Sequence, residues 1–319
     1  MVVAVEGEDY PRTLTELEKR FASEQGCRDY LVKLRWPEGF VCPRCGMRSA
    51  WAASRERLVC AKCRYQASVT AGTIFQDTRK PLALWFRAIW WVTTQKNGAS
   101  AIGVQRILGL GSYSTAWTWL HKLRRAMVRP GRDRLTGVVE VDETYIGGEE
   151  EGVRGRQTET KALVIIACEE RGRGIGRIRL RHIPDASATS LLAFIQEAIG
   201  PGSVVHTDGW EGYAGLKEMG YKHKVTVLRR RRQSASDLLP RVHLAASLLK
   251  RWLLGTHQGA VARDHLAYYL DEFTFRFNRR RSRSRGKLFY RLLEQAVAVP
   301  PKPYKGIVGG AWNPENRNV

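Results

Sequence analysis

The first 136 residues combine helical hydrophobic patterns with one polar stretch that carries cysteines. Leu14, Leu17 and Phe21 recur at helical spacing behind Thr13, which predicts a capped helix within the first 40 residues. The apolar and aromatic run PLALWFRAIWWVTT (81 to 94) predicts a buried helix. AIGVQRILGL and SYSTAWTWLHKLRRAM, separated by a short turn that contains glycine, predict two more. This arrangement is compatible with a helix-turn-helix and equally with a plain helical connector.

The periodicity changes near residue 137. GVVEVDETYIGG, KALVIIACEE and IGRIRLRHI read as three consecutive strands, followed by helix, strand, short helix, strand and further helices. This order predicts an α/β fold with a mixed sheet and helices on both faces. We therefore divide the chain into a helix and cysteine segment (1–75), a helical segment (76–136), an α/β segment (137–298) and a Pro/Gly-rich tail (299–319) that should be loose.

The charge of the chain favours a polyanionic partner. Across 319 residues, 53 Lys and Arg outnumber 31 Asp and Glu, which leaves a formal charge of +22. Such an excess attracts nucleic acid first and an acidic membrane surface second. We expect no membrane association, because no apolar run approaches the roughly 20 residues that span a bilayer. Acidic residues stand where a signal peptide would be basic, so we expect a cytoplasmic, nucleoid-associated protein. The Arg-rich runs at 229–232 and 278–286 should be solvated and face phosphate.

Four of the six cysteines form two CxxC pairs separated by 14 residues. The pairs are Cys42 with Cys45 and Cys60 with Cys63. Four thiolates complete the tetrahedron that zinc prefers, so the spacing predicts a structural zinc ribbon, with a redox dithiol or disulfide pair as the alternative. Cys27 and Cys168 stand alone in apolar surroundings and should be packed bystanders. Basic residues stud the ribbon, which suggests a DNA contact, although ribbons also bind proteins: Arg44, Arg48, Arg55, Arg57, Lys62 and Arg64.

Two aspartates stand out by their positions. Asp142 falls inside an apolar strand pattern, and Asp208 ends another. A charge in or beside a buried strand is costly unless it is paired or bound to a metal, although an Asp–Gly turn is common at strand ends. On adjacent strands, the pair could bridge two divalent cations about 4 Å apart for phosphoryl transfer. Glu140 and Glu143 could substitute for either aspartate or simply form salt bridges.

Several motifs together resemble those of bacterial insertion-sequence transposases. They are CPRCG…CAKC, GTIF, VDETYIGG, HTDGWEGY, LLKRWLLGTHQGAV and YLDEFTFRFNRR, and they extend from about residue 20 to 290. The resemblance implies a zinc ribbon followed by an RNase H-like catalytic domain of the DDE type. It also implies that Asp142 and Asp208 are the first two members of the acidic triad, and that Mg²⁺ or Mn²⁺ is the catalytic cofactor.

The third triad position departs from the acidic pattern. Such enzymes often place the last acid about 35 residues after the second, with a basic residue seven positions later; those positions hold His243 and Lys250. The two share one helix face, and the resemblance makes His243 the third metal ligand and Lys250 a phosphate contact. Imidazole in place of carboxylate favours Mn²⁺ over Mg²⁺. The alternatives are that His243 is an ordinary helix residue and that a nearby acid serves instead: Asp237, Asp271 or Glu272.

The resemblance implies a transposase that cleaves transposon ends with a metal ion and joins them to target DNA. Its partner would be double-stranded DNA, held by a dimer or larger homo-oligomer, and Trp210 could stack on a base. Three alternatives stay open: a DNA-binding regulator without catalysis, an RNase H-like nuclease or resolvase, and a decayed transposase.

Overall fold

The computed structural model describes residues 9–53, 57–129, 131–148, 161–226, 238–259 and 261–309. The contacts divide the chain into two units: unit 1 is residues 1–129 with 282–310, and unit 2 is residues 130–281 with 311–319. The Arg-rich run at 229–232 and the fallback acid Asp237 lie outside the described residues. The four segments predicted from the sequence stay predictions.

The helices and strands are numbered along the described chain. The helices are α1 (Leu14–Arg20), α2 (Glu24–Arg35), α3 (Leu82–Thr94), α4 (Ala101–Leu108), α5 (Tyr113–Ala126), α6 (Ala188–Ala198), α7 (Pro240–His257), α8 (Leu266–Asn278), α9 (Arg285–Ala296) and α10 (Tyr304–Val308). The strands are β1 (Ala50–Ala53), β2 (Arg57–Cys60), β3 (Gln66–Ala67), β4 (Val138–Ile146), β5 (Ala162–Arg171), β6 (Gly174–Ile183), β7 (Val204–Thr207) and β8 (Lys222–Val225). Short 3₁₀ helices cover Glu211–Leu216 and Arg263–His265.

The amino-terminal segment forms two helices where the sequence predicted one. The predicted cap is confirmed, since the Thr13 hydroxyl accepts the Glu16 amide at 3.1 Å. The chain then leaves the helix at Phe21 and restarts behind Ser23, whose hydroxyl accepts the Gly26 amide at 3.1 Å. Ser23 explains the break. Its hydroxyl accepts the amide of Gly26, one of the first-turn amides that have no partner within the helix, and so it favours a new helix start at this point.

The aromatic helix α3 forms the core of unit 1, as its pattern predicted. Trp85 is buried and stacks on Trp119 of α5 with 3.8 Å between the ring centroids. Phe86 packs edge-on against Phe289 of α9, so the segment 285–296 belongs to this core. The segment expected to be a loose tail contains α10, where Ile307 is buried.

Helices α4 and α5 are joined by a short turn in the way that a helix-turn-helix requires. The turn covers residues 109–112, and it begins at Gly109, which closes α4 in the left-handed conformation (φ 61°). A side chain there would be strained, which explains the glycine in the predicted turn. The geometry is compatible with a helix-turn-helix, while its contact with DNA stays a prediction.

Unit 2 is built on a five-stranded mixed sheet in the order β6-β5-β4-β7-β8. The consecutive strands β4, β5 and β6 pair antiparallel, whereas β7 pairs in parallel with the other side of β4, and β8 pairs in parallel with β7. Helices follow β6, β7 and β8 in the order that the sequence predicted. The α/β, RNase H-like fold class predicted for this part of the chain is thus confirmed.

The two faces of the sheet differ in what they bury. On one face, Val139 and Val141 of β4 pack with Ile165 of β5 in a core that includes α6. On the other face, Ile166 and Cys168 of β5 pack with α7 and α8. Because side chains alternate along a strand, this second face is where Glu140 and Asp142 lie, paired in register with Cys168 and Ile166. This face packs a largely apolar core and carries two carboxylates on its central strand.

The Glu140 carboxylate holds the start of α7 against β4. Its side chain is 1% exposed and accepts the backbone amides of Arg241 (2.7 Å) and Val242 (3.0 Å). The Arg241 guanidinium also donates to it at 2.7 Å. No side chain of the helix itself caps α7, so Glu140 satisfies its amino-terminal amides from another element. The positive end of the helix dipole adds to this attraction.

The Glu140–Arg241 salt bridge predicts that substitutions of its two members have non-additive effects on the free energy of unfolding. Arg241→Ala should lower the free energy of unfolding by about 3–5 kcal/mol, because it leaves a buried carboxylate without its counter-charge. Glu140→Gln in the same chain should recover part of that loss, since the double variant buries no unpaired charge. Denaturant unfolding of the two single variants and the double variant measures this coupling. Strictly additive losses would show that the two side chains do not depend on each other.

Candidate functional site

The four CxxC cysteines converge on one point of the β1–β2–β3 ribbon. Cys42 and Cys63 Sγ lie 3.7 Å apart, and Cys45 and Cys60 Sγ lie 3.6 Å apart. All four sulphurs fall within 4.8 Å of one another. Zinc–sulphur bonds of about 2.3 Å place the corners of a tetrahedron about 3.8 Å apart, so the cluster fits zinc closely. Between the two pairs of cysteines, β1 and β2 pair antiparallel, with Ala50 opposite Cys60.

Each pair of cysteines ends in a turn that aims backbone amides at sulphur. Gly46 and Arg64 follow the two pairs in the left-handed conformation, and their amides bond to the carbonyls of Cys42 and Cys60. The Cys63 and Lys62 amides lower the pKa of the Cys60 thiol, whereas hydrogen bonds with the neighbouring thiols outweigh the Met47 amide and raise the pKa of the Cys45 thiol. Cys27 and Cys168, outside the cluster, are fully buried as predicted.

Parallel pairing of β4 and β7 directs Asp142 and Asp208 toward the same edge of the sheet. Glu140 lies opposite His206 in the last pair of this ladder, and each aspartate lies two residues further along its own chain. Asp142 is still within β4, whereas Asp208 is the first residue after β7, which ends at Thr207. Both side chains are partly buried.

His243 lies over this pair from the first turns of α7. Its Nε2 is 3.7 Å from Asp142 Oδ2, which is longer than a hydrogen bond. Burial lowers the pKa of His243, while the negative charges of Glu140 and Asp208 oppose that shift. His243 is therefore within electrostatic reach of both Asp142 and Asp208. The structure thus brings His243 close to Asp142 and within the field of Asp208, and the assignment of the three as a triad stays a prediction.

Lys250 lies two turns further along α7, at the rim of the same edge. It is exposed, yet the surrounding protein removes part of its water and lowers its pKa, and the charge of Lys161 lowers the pKa further. The spacing of seven residues keeps Lys250 on the helix face that carries His243.

Tyr213 and Trp210 fasten the loop that follows Asp208, and neither role was predicted. The buried Tyr213 hydroxyl donates to the Glu143 carboxylate on β4. Burial raises the pKa of Tyr213, and the charges of Glu143, Asp142 and Asp208 raise it further. Trp210 is 38% exposed, but its indole donates to the Ala186 carbonyl at 2.9 Å. The Asp208 backbone is therefore anchored at two points.

The remaining acids have other partners. Glu140 forms the salt bridge that was one of its two predicted roles, and Glu143 accepts the tyrosine hydroxyl. On α8, Glu272 is fully buried and accepts Arg276 Nε at 2.8 Å, while Asp271 is 6% exposed. Within the described part of the chain, the cysteine cluster is the only group of three or more ligand side chains gathered tightly enough to hold an ion.

Two family models match this chain. A transposase zinc-ribbon domain matches residues 22–66, and an ISXO2-like transposase domain matches residues 134–278. The second match contains the whole five-stranded sheet with α7 and α8, and the first contains the four cysteines. A protein of transposable element ISH50 from Halobacterium salinarum, described as uncharacterized, is 28% identical over 288 residues, which is 81% of this chain and 92% of that protein.

Solved structures show weaker similarity. A chain of the simian T-cell lymphotropic virus intasome in complex with PP2A regulatory subunit B56 gamma is 15% identical, with a TM-score of 0.32 over 58% of this chain and 70% of that chain. A chain of the Mos1 strand transfer complex is 13% identical, with a TM-score of 0.29 over 72% of this chain and 78% of that chain.

No helix among the described residues is both long and apolar enough to cross a bilayer. The cysteine geometry and the sheet topology agree with the two domains that the family models match. With a transposase zinc ribbon followed by an ISXO2-like transposase domain, the chain is a DNA transposase of the insertion-sequence type.

Proposed function

We propose that unit 2 cleaves DNA at the transposon ends and joins the freed strand to target DNA, with Asp142, Asp208 and His243 as the metal-binding triad. The observation that carries the proposal is the approach of His243 Nε2 to within 3.7 Å of Asp142 Oδ2, with the charge of Asp208 also acting on His243. In the first step a water oxygen attacks the phosphorus, and the bond to the 3′ oxygen breaks. In the second, that 3′ hydroxyl attacks a target phosphate in line and displaces the target's own 3′ oxygen.

The donor set of the triad fits a divalent cation. Two carboxylates offer the oxygen ligands that Mg²⁺ and Mn²⁺ take, and an imidazole nitrogen suits Mn²⁺ better than Mg²⁺. When bound there, such ions supply the charge that activates the attacking oxygen and stabilises the leaving oxygen. The protein contributes orientation: the Glu143 amide donates to Asp142 Oδ1 at 2.8 Å, and the Trp210 amide donates to Asp208 Oδ1 at 2.9 Å. In each aspartate a backbone amide thus holds Oδ1. In Asp142 the second oxygen, Oδ2, is the atom that lies 3.7 Å from His243 Nε2.

Lys250 would hold a DNA phosphate close to the triad, because it lies on the same helix face as His243 at the rim of the site. The positive excess of the chain supports binding of double-stranded DNA along a longer path. We assign additional DNA contacts to the zinc ribbon and to α4 and α5, and we expect a dimer or larger homo-oligomer that pairs two ends. A DNA-binding regulator would not need two aspartates and a histidine on a covered sheet face.

Asp142→Asn and Asp208→Asn should each reduce strand cleavage and joining about 100-fold or more, because each removes a charge that binds metal in the transition state. DNA binding should change little. The measurement is a gel assay of nicked and joined products from labelled element ends with Mg²⁺ or Mn²⁺. Glu218→Gln, an exposed acid of the same unit, removes the same charge and serves as control. Undiminished joining by either Asp variant would overturn the assignment, and nicking without joining in the wild type would indicate a nuclease.

The metal preference tests His243. His243→Glu should raise activity with Mg²⁺ relative to Mn²⁺, since it restores an oxygen ligand, and His243→Ala should reduce activity with both metals. Leu244→Glu places the same acid at the neighbouring exposed position and should leave the preference unchanged. Full activity of His243→Ala with both metals would show that the imidazole is an ordinary helix residue.

The zinc ribbon has its own test. Replacement of Cys42 and Cys45 by Ser should abolish zinc binding and weaken binding of DNA ends, because two thiolates cannot complete the tetrahedron. Metal analysis of the purified protein gives the zinc content, and Cys168→Ala, outside the cluster, should keep one zinc per chain. Retention of zinc by the double Ser variant would contradict the ribbon assignment.

A further inference from the structure

A groove opens beside the triad, between the far end of β4 and the second half of α7. It encloses about 630 Å³, within the range of small-ligand sites. Its wall includes Tyr145 and Ile146 at the end of β4 and Leu253 and Leu254 on α7. We propose that this groove binds a nucleotide of the DNA strand that continues past the scissile phosphate. The inference rests on the proposed function, since it takes the triad as the cleavage site.

The groove is built to hold an anion. Lys161, Lys250 and Arg263 line it, and none of the described lining residues is acidic. Lys161 lies close enough to lower the pKa of Lys250, so two positive charges repel each other in a partly desolvated place. A phosphate between them would remove that repulsion. Gly147 permits the approach of Lys161, because a Cβ there would lie 3.0 Å from Lys161 Cγ and 3.1 Å from its Cα.

The same groove offers an apolar wall to a base or sugar. Leu253 is buried beneath it, whereas Leu254 is 67% exposed at its edge, the largest exposure of any large hydrophobic side chain in the described chain. Ile146, at the end of β4, adds an apolar side chain on the opposite wall. Cations next to an apolar surface suit a nucleotide, with the phosphate on the charges and the base or sugar against the apolar side.

The groove is continuous with the triad. Lys250 lines the groove and lies on the helix face that carries His243, and Ile146 follows Asp142 by four residues on the same face of β4. Four strand residues span about 13 Å, which is roughly the rise of four nucleotides in one strand. A strand whose phosphate sits at Asp142 therefore reaches the groove within a few nucleotides. The occupant is a neighbouring nucleotide of the same DNA.

Binding of extended DNA tests the proposal without chemistry. The probes are a labelled 20-base-pair duplex with blunt ends and the same duplex with five single-stranded thymidines at its 3′ end or at its 5′ end, in buffer without added Mg²⁺ or Mn²⁺. Wild type should bind one extended form several-fold more tightly than the blunt form. Lys161→Gln and Arg263→Gln should each lose most of that gain, and each should lower the salt slope for extended DNA by about 0.7, the value for one phosphate of a single strand.

Matched controls separate the groove from general charge. Lys222→Gln removes an exposed lysine from β8 and Leu244→Asn an exposed leucine from α7, both outside the groove, and both should keep the gain. Leu254→Asn should reduce the gain while leaving blunt-duplex binding unchanged. Thermal unfolding confirms that each variant folds.

The proposal is overturned if no extension improves binding to the wild type, or if Lys222→Gln loses as much of the gain as Lys161→Gln. These outcomes say nothing about cleavage. Failure of the triad would show instead as normal joining by Asp142→Asn with the extension gain intact, so the two failures are distinguishable.

Discussion

The buried carboxylate of Glu140 is the constraint on which the candidate site depends. It takes two amides at the start of α7 and the Arg241 guanidinium, and it thereby fixes the rotation and height of α7 on the sheet. His243 comes two residues after Arg241, so its distance from Asp142 follows from this anchor. A carboxylate sealed at 1% exposure is costly to bury, and three donors offset that cost only when the helix starts at this place. The pair therefore gives accuracy of position more than stability.

A second anchor sets the other half of the site. Tyr213 joins the chain after Asp208 to Glu143, which adjoins Asp142 on β4. Gly212 allows this packing, since a Cβ there would lie 2.8 Å from Leu191 Cδ1 and 2.9 Å from the Ala186 carbonyl. The motifs VDETYIGG and HTDGWEGY each hold one aspartate and one partner of this hydrogen bond. The backbone around Asp142 and Asp208 is therefore held by neighbouring residues: the Tyr213 hydroxyl bonds to Glu143, and the Arg241 guanidinium bonds to Glu140.

Sequence patterns predicted the features that short segments determine, and they missed the features that depend on contacts between distant segments. Strand periods and the paired CxxC spacing identified the sheet and the ribbon, because alternation and ligand spacing are properties of short segments. The break at Ser23 was missed, since Leu17 and Phe21 keep helical spacing up to the interruption. The role of Glu140 depends on a partner 101 residues away, which no local pattern reveals. The one feature of the sequence that pointed to Glu140 was its position two residues before Asp142, on the same face of the predicted strand. The assignment of His243 and Lys250 needed the family resemblance, because a helix offers many candidates at similar spacing.

In a chain with a large excess of positive charge, the four acids near the site differ in their partners. A chain at +22 repels itself, so binding of a polyanion would relieve that repulsion and stabilise the fold. Glu140 is matched by Arg241, and Glu143 accepts a neutral hydroxyl. Asp142 and Asp208 face an imidazole whose pKa is lowered by burial, so that it does not neutralise them as a cation would. The negative charge left near His243 is thereby concentrated on two carboxylates, beside a rim where Lys250 and Lys161 are positive. Cations are drawn to the carboxylates and phosphates to the rim, and the boundary between the two fields is where a phosphodiester and a metal ion would meet.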